Sequence, residues 1–174
     1  HAGVGPWPRS TQEIICQFAQ QNMLHGSSNY RQWEHTETEL RTLAAQLINA
    51  PGPGNIALLK NTSEALSLVA YGLNWNPGDE VIIPAGEFPS NRIVWESLTE
   101  RYGVIVTIVS HEKGSDNSLE GAIINASSER TRLISVSSVS YASGYRMDLN
   151  KVGAHCRANN ILFCIDAIQS LGAI

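Results

Sequence analysis

Between Asn55 and Asp166 short apolar runs alternate with segments of helical period, and this alternation restricts the architecture more than any other feature. Runs of strand length stand at Asn55–Leu59, Glu80–Pro84, Val104–Val109, Leu133–Ser137 and Ile161–Ile165. Helical patterns fall between them, at Glu64–Leu73, Asn91–Tyr102, Leu119–Ala126 and Leu149–Asn159. Apolar strands separated by helices pair in parallel and are covered on both faces. The expected body is therefore a doubly wound, mainly parallel α/β sheet. Ligands of such sheets bind beyond the C-terminal ends of the strands, so the loops that follow each strand are where chemistry belongs.

The segment ahead of the sheet reads differently. Residues 1–9, rich in Gly and Pro, are expected to form an extended arm. A first helix is predicted over Thr11–Leu24, with Ile14, Ile15, Phe18 and Ala19 on one face, and Gly26 follows as a C-cap. A second helix is predicted over Tyr30–Asn49 with Leu40, Leu43, Ala44 and Leu47 at helical spacing, and Pro51-Gly52-Pro53-Gly54 ends it. The expected organisation is an N-terminal arm with helices over residues 1–50 and the first part of the sheet domain over 51–174. Ser90 and Asp148 stand where N-caps belong.

Composition removes several function classes. With 43% hydrophobic and 16% charged residues the chain can build a core, and no apolar run reaches the length of a membrane span. A net charge of −4 argues against nucleic acid as a partner, because phosphate binding needs a basic face. The start, His1-Ala2-Gly3-Val4-Gly5-Pro6-Trp7-Pro8, has no basic region followed by an apolar block, so no signal peptide is read there. Cys16, Cys156 and Cys164 show no CxxC spacing, and an odd count suits a reducing compartment such as the cytoplasm. His155 beside Cys156 reads as an ordinary helix pair, and no metal site is expected.

Four loops carry the chemistry. Lys60-Asn61-Thr62-Ser63-Glu64 places two hydroxyls and an acid at the start of a helix. That is a capping box with Thr62 or Ser63 as N-cap, an anion site made of N–H groups and hydroxyls, or both. Neither GxxxxGK[ST] nor GxGxxG is present, so no nucleotide-loop fingerprint competes. Gly86-Glu87-Phe88-Pro89-Ser90-Asn91 follows the second run and offers an aromatic ring that can plug the core or stack on a flat ligand. Ser137-Ser138-Val139-Ser140-Tyr141-Ala142-Ser143-Gly144 brings hydroxyl groups to the same edge. Asp166 ends the last run, and Gln169 follows three residues later. The carboxylate is either the N-cap of the next segment or a fixed anion facing a protonated ring nitrogen, as in pyridoxal phosphate (PLP) sites.

In this order the motifs resemble the class V aminotransferase group of PLP-dependent enzymes. The group includes cysteine desulfurases, selenocysteine lyases, kynureninase and isopenicillin N epimerase-like proteins. The resemblance implies the large domain of a fold-type I PLP transferase, here incomplete, and a homodimer acting on an α-amino acid, a small-molecule substrate, through an external aldimine. The reaction would be transamination or a lyase step of desulfurase or kynureninase type. Carried over by position, it makes Thr62 and Ser63 phosphate binders and Phe88 the ring that stacks on the cofactor. Asp166 becomes the partner of the ring nitrogen and Gln169 a hydrogen-bond partner of the ring's 3-oxygen. A carboxylate within about 4 Å of that nitrogen keeps it protonated and makes the ring an electron sink. Asp166 and Phe88 are thus the expected catalytic residues.

Two departures from the group's pattern stand out. Cysteine desulfurases carry His at the position of Phe88 and Asn at that of Tyr141, and the present pair is closer to the kynureninase and epimerase-like branch. The second concerns lysine, which must hold PLP as a Schiff base. Lys60, Lys113 and Lys151 all precede Asp166, whereas the group's lysine follows it. The expectation is a chain truncated before that lysine and inactive alone, with the rest of the enzyme as a missing segment or a separate chain. The alternative is a non-catalytic half-protein that binds PLP or a partner.

Overall fold

The computed structural model describes residues 5–110 and 118–174, and the chain divides into two compact units, His1–Leu58 and Leu59–Ile174. In the first unit, α1 (Arg9–His25) and α2 (Tyr30–Leu47) are followed by a 3-10 turn at Pro53–Asn55. Helix α1 stops at Gly26, whose φ of 54° suits a residue without Cβ, and the Gly26 N–H donates to the Asn22 carbonyl at 2.8 Å. Phe18 meets Trp33 with ring centroids 5.2 Å apart. Of the arm expected over residues 1–9, the first four lie outside the described residues, and Arg9 is already helical.

The strand expected at Asn55–Leu59 does not form. Asn55 closes the 3-10 turn, and the Ile56 carbonyl accepts a hydrogen bond from Arg41 Nη1 at 2.6 Å. Leu58 and Leu59 remain 41% and 40% exposed. The run has the composition of a strand, but the Pro-Gly pairs bend the backbone just ahead of it and a side chain takes the carbonyl that a sheet neighbour would use.

The second unit contains α3 (Thr62–Gly72), β1 (Glu80–Pro84), α4 (Ser90–Tyr102), β2 (Ile105–Val109), α5 (Leu119–Ala126), β3 (Thr131–Ser137), α6 (Leu149–Ala158) and β4 (Leu162–Asp166). Among the described residues the four strands form one sheet in the order β2-β1-β3-β4, every pair parallel. Successive side chains of a strand point to opposite faces, and the packing follows that rule. Val81, Ile83 and Leu133 meet Leu66 and Ala70 of α3 and Val94, Trp95 and Leu98 of α4. Ile82, Ile134 and Val136 meet Ile123 of α5 and Val152 and Cys156 of α6 on the other face. This is the doubly wound body that the alternating pattern predicts.

The topology fixes where a ligand can sit. The chain leaves β1 through α4 towards β2 and leaves β3 through α6 towards β4, in opposite directions along the sheet. The switch point therefore lies between β1 and β3, where the loops part and open a crevice. Helices α3 and α4 pack in one core cluster on the same sheet face with their C-terminal ends together, because Tyr71 near the end of α3 bonds Ser97 of α4 at 2.9 Å and packs on Tyr102 with centroids 6.2 Å apart. The first turn of α3 consequently lies at the same sheet edge as the first turn of α4, beyond the strands' C-terminal ends.

At the opposite edge Glu80 ties three elements together. Its carboxylate accepts from Thr107 Oγ1 and Thr131 Oγ1, each at 2.6 Å, and from Ser128 Oγ at 3.1 Å. Burial would raise its pKa, but the three hydroxyls and the Arg130 charge outweigh burial and hold the carboxyl below the ordinary carboxylate range.

Candidate active site

Helix α3 begins differently from the expected cap. The N-cap is Asn61, whose Oδ1 accepts from the Glu64 N–H at 2.9 Å, while Glu64 Oε2 accepts from the Lys60 N–H at 3.0 Å. Thr62 and Ser63 are the first two helical residues. Their N–H groups and hydroxyls donate to no acceptor among the described residues. Because Asn61 performs the capping, the donors of Thr62 and Ser63 stay uncommitted at the positive end of the helix dipole, where negative charge is favoured.

Phe88 stands in the loop after β1, which turns at Gly86 with φ of 82°. The Ala85 N–H donates to the Val109 carbonyl at 2.7 Å and pins the start of the loop to the end of β2. The Phe88 ring is 49% exposed and meets Tyr141 edge-on, with centroids 5.2 Å apart and planes at 90°. Tyr141 belongs to the loop after β3, so the aromatic pair spans the switch point. The Ser90 N-cap is not formed: Ser90 is the first helical residue, the cap position is Pro89, and no side chain caps the turn. Asp148 does cap α6, its Oδ1 accepting from the Lys151 N–H at 3.1 Å.

Asp166 is the last residue of β4, 7% exposed, paired across the sheet with Ser137. Its Oδ1 accepts from the Ile168 N–H at 3.0 Å, so the carboxylate organises the turn that carries Gln169. Its Oδ2 has no hydrogen bond among the described residues, and no buried side-chain oxygen there lacks a partner, so Oδ2 reaches the surface. One oxygen of the carboxylate thus holds the turn while the other makes no hydrogen bond among the described residues. Gln169 is half-buried in the turn that follows.

A cavity of about 660 Å³ opens beside the aromatic pair, lined among others by Glu87, Ser110, Ser137, Ser140, Tyr141 and Tyr145. Tyr141 is the residue it shares with the aromatic pair; Thr62, Ser63, Phe88, Asp166 and Gln169 do not line it. The structure therefore places the expected cofactor residues at one sheet edge, on α3, the β1 loop and the β4 end, with the cavity adjoining them. Among the described residues no group of His, Cys, Asp and Glu could hold a metal ion, and no helix is long and apolar enough to cross a membrane.

Two carboxylates escaped the sequence reading. Glu87 accepts from the Ser137 N–H at 2.7 Å, Ser137 Oγ at 2.5 Å and Asn91 Nδ2 at 3.0 Å. Glu120 of α5, 3% exposed, accepts from Tyr145 Oη at 2.9 and 3.0 Å and from the Asp148 N–H at 2.9 Å. Burial would raise the Glu120 pKa, but the hydrogen bonds, led by that of the Asp148 N–H, hold it below the usual range; burial and Glu120 together push the Tyr145 phenol up. The signal for Glu87 was the polar Asn91 one turn ahead of Trp95 on a buried helix face, an i,i+4 pair.

The aminotransferase class-V family model matches residues 13–174. A probable cysteine desulfurase of Methanothermobacter thermautotrophicus is 39% identical over 134 residues, which are 77% of this chain and 33% of that protein. A cysteine desulfurase of Pectobacterium atrosepticum is 33% identical over 136 residues, 76% of this chain and 33% of that protein. Among solved structures, a C-DES mutant with glycine covalently linked to its PLP cofactor superposes with a TM-score of 0.90 at 22% identity, over 99% of this chain and 47% of that one. Apo cysteine desulfurase of Thermococcus onnurineus superposes with a TM-score of 0.71 at 29% identity, over 80% and 35% of the two chains. The chain spans about a third of the length of these curated relatives. The C-DES likeness establishes the fold-type I architecture of the sheet unit, and the family match over nearly the whole sequence establishes descent: the chain belongs to the aminotransferase class-V family.

Proposed function

We propose that this chain is the PLP-binding part of an enzyme that acts on an α-amino acid, with a lyase step of the cysteine desulfurase type as its reaction. The observation that carries the proposal is the first turn of α3, where two N–H groups and two hydroxyls are left for an anion because Asn61 and Glu64 cap the helix without them. The other groups fit the same ligand. Phe88 offers a half-exposed ring face, and Asp166 offers one oxygen at the surface from a carboxylate that its second oxygen fixes in place.

In this reading Thr62 and Ser63 bind the cofactor phosphate, and Phe88 covers the ring. Gln169 donates to the ring's 3-oxygen. Asp166 holds the proton on the ring nitrogen, because an adjacent anion favours the charged form of the ring. When bound, the cofactor supplies an electron sink for charge developing at the substrate's α-carbon. Lys60 and Lys151 face Glu64 Oε1 at 3.4 Å and Ser118 Oγ at 3.3 Å, and Lys113 lies outside the described residues. The lysine that holds the cofactor and the group that grips the substrate carboxylate belong, in this proposal, to the remainder of a cytoplasmic, homodimeric enzyme. What supports catalysis over a non-catalytic half-protein is that the phosphate, ring and nitrogen partners are all present.

The test is a visible absorption scan of the full-length protein with PLP, followed by borohydride reduction, peptide mapping and an assay of sulfide released from cysteine. The expected result is a band near 400–430 nm, a rough figure for a protonated Schiff base, one reduced lysine and sulfide release. A full-length protein that gains no band and traps no lysine overturns the proposal.

A further inference from the structure

We propose that Glu87 is the positioning residue that sets the Phe88 ring in place for the cofactor, an inference that rests on the stacking role given to Phe88 above. The ring itself has little to hold it. Phe88 is 49% exposed, and Tyr141, its ring partner, is 51% exposed. The backbone under the ring is where order comes from. Glu87 receives three hydrogen bonds, two from Ser137 at the end of β3 and one from Asn91 in α4. The Asn91 N–H in turn donates to the Phe88 carbonyl at 2.8 Å.

The anchor reaches into the core. Asn91, Trp95 and Ser135 are all 0% exposed. Asn91 Oδ1 accepts from Trp95 Nε1 at 3.0 Å and from Ser135 Oγ at 2.6 Å, which leaves its amide nitrogen for Glu87. The amide cannot rotate without leaving the two buried donors unpaired. Asn91 therefore presents a donor to Glu87 in one orientation, and Ser137 presents two more. A side chain that meets three donors must be an acceptor at both oxygens, which is what a carboxylate is and a carboxamide is not. With glutamine at this position the amide nitrogen would face either the Ser137 N–H or the Asn91 amide nitrogen, and the segment carrying Phe88 would have to shift. Glutamate is thus selected by the geometry rather than by charge towards a ligand.

That argument predicts a rescue. In the double variant Glu87→Gln with Asn91→Asp, the new amide donates to the new carboxylate, which still accepts from Trp95 and Ser135. The Gln oxygen accepts the Ser137 N–H, and the Ser137 hydroxyl accepts from the Gln nitrogen. The network is restored with the charge moved one link inward.

The experiment uses the full-length protein and reads the dissociation constant of PLP from visible circular dichroism, together with the Phe88–Tyr141 ring contact by NMR in the cofactor-free protein. Glu87→Gln is expected to weaken PLP binding about tenfold, the equivalent of one lost hydrogen bond to a charged group, and to lose the ring contact. The double variant is expected to recover both. In a Phe88→Ala background, Glu87→Gln is expected to cause no further loss, because it acts through the ring. Unchanged PLP affinity in Glu87→Gln overturns the inference. So does an equal loss with and without Phe88, and this cycle decides the matter if the double variant does not fold. A wild-type protein that binds no PLP defeats the proposed function instead, and the ring contact in Glu87→Gln still tests the positioning.

Discussion

A phenyl ring at position 88 can stack on a flat cofactor but cannot carry a proton, whereas the imidazole that the resemblance places there in cysteine desulfurases can do both. Phe88→His is therefore expected to raise sulfide release from cysteine on the order of tenfold or more, the lower part of what general acid–base catalysis contributes, with PLP affinity nearly unchanged. Steady-state assays of the two full-length proteins check it, and an unchanged rate would place proton transfer on another residue. Asp166→Asn keeps the shape of the side chain and removes its charge. PLP affinity is expected to fall roughly tenfold to a hundredfold, the range for a hydrogen bond to a charged group, measured by equilibrium dialysis. The positions of Asp166, Thr62 and Ser63 were legible in the sequence, because each stands at a junction of strand and loop or loop and helix, where the residue pattern changes. The role of Glu87 is not legible in the sequence for a physical reason: its partner Ser137 is 50 residues away, and only the folded sheet brings the ends of β1 and β3 together.

Elements proved more legible than their ends. Four of the five apolar runs became strands within two residues of the expected bounds, because a strand buried on both faces needs an uninterrupted apolar run. Asn55–Leu59 has the same composition but no place in the sheet, and composition alone does not report that. Caps failed for a related reason. Ser90 has the right chemistry, yet the bend at Pro89 already turns the chain into α4, with the Pro89 carbonyl accepting from the Arg92 and Ile93 N–H groups at 3.2 and 2.9 Å. Where the cap is real it can be measured. Asp148→Ala is expected to cost about 1 kcal/mol, the usual worth of an N-cap, seen as a lower urea midpoint with an unchanged slope. Glu120 joins α5 to the segment ahead of α6 through Tyr145 and the Asp148 N–H.

For the molecule as a whole, two hydrogen-bonded carboxylates, the half-buried Glu80 and the buried Glu120, set the response to acid. Glu80 and Glu120 are both held below the ordinary carboxylate range in the folded state, so the unfolded chain takes up these protons at higher pH than the folded one. Their stabilisation is complete above the unfolded value near pH 4.3 and is lost as pH falls through the lower folded values. Thermal melts between about pH 6 and pH 2 should show a steep acid limb below about pH 4, shallower in Glu80→Gln; a parallel loss in both proteins would refute the assignment. The sheet edge sets the response to concentration. Strand β4 pairs with β3 alone among the described residues, and Leu162 and Ile165 on it are 44% and 41% exposed. An apolar groove of about 380 Å³ runs alongside, lined by Val69, Leu73, Leu133, Leu162, Phe163, Cys164 and Ile165. An edge with open backbone groups and apolar side chains recruits another strand unless something covers it. The 174-residue chain studied by itself is therefore expected to self-associate, and Ile165→Lys to suppress this by placing a charge on the edge. Sedimentation velocity over a range of concentrations decides it, since a chain that stays monomeric without the substitution shows the edge to be harmless as it stands.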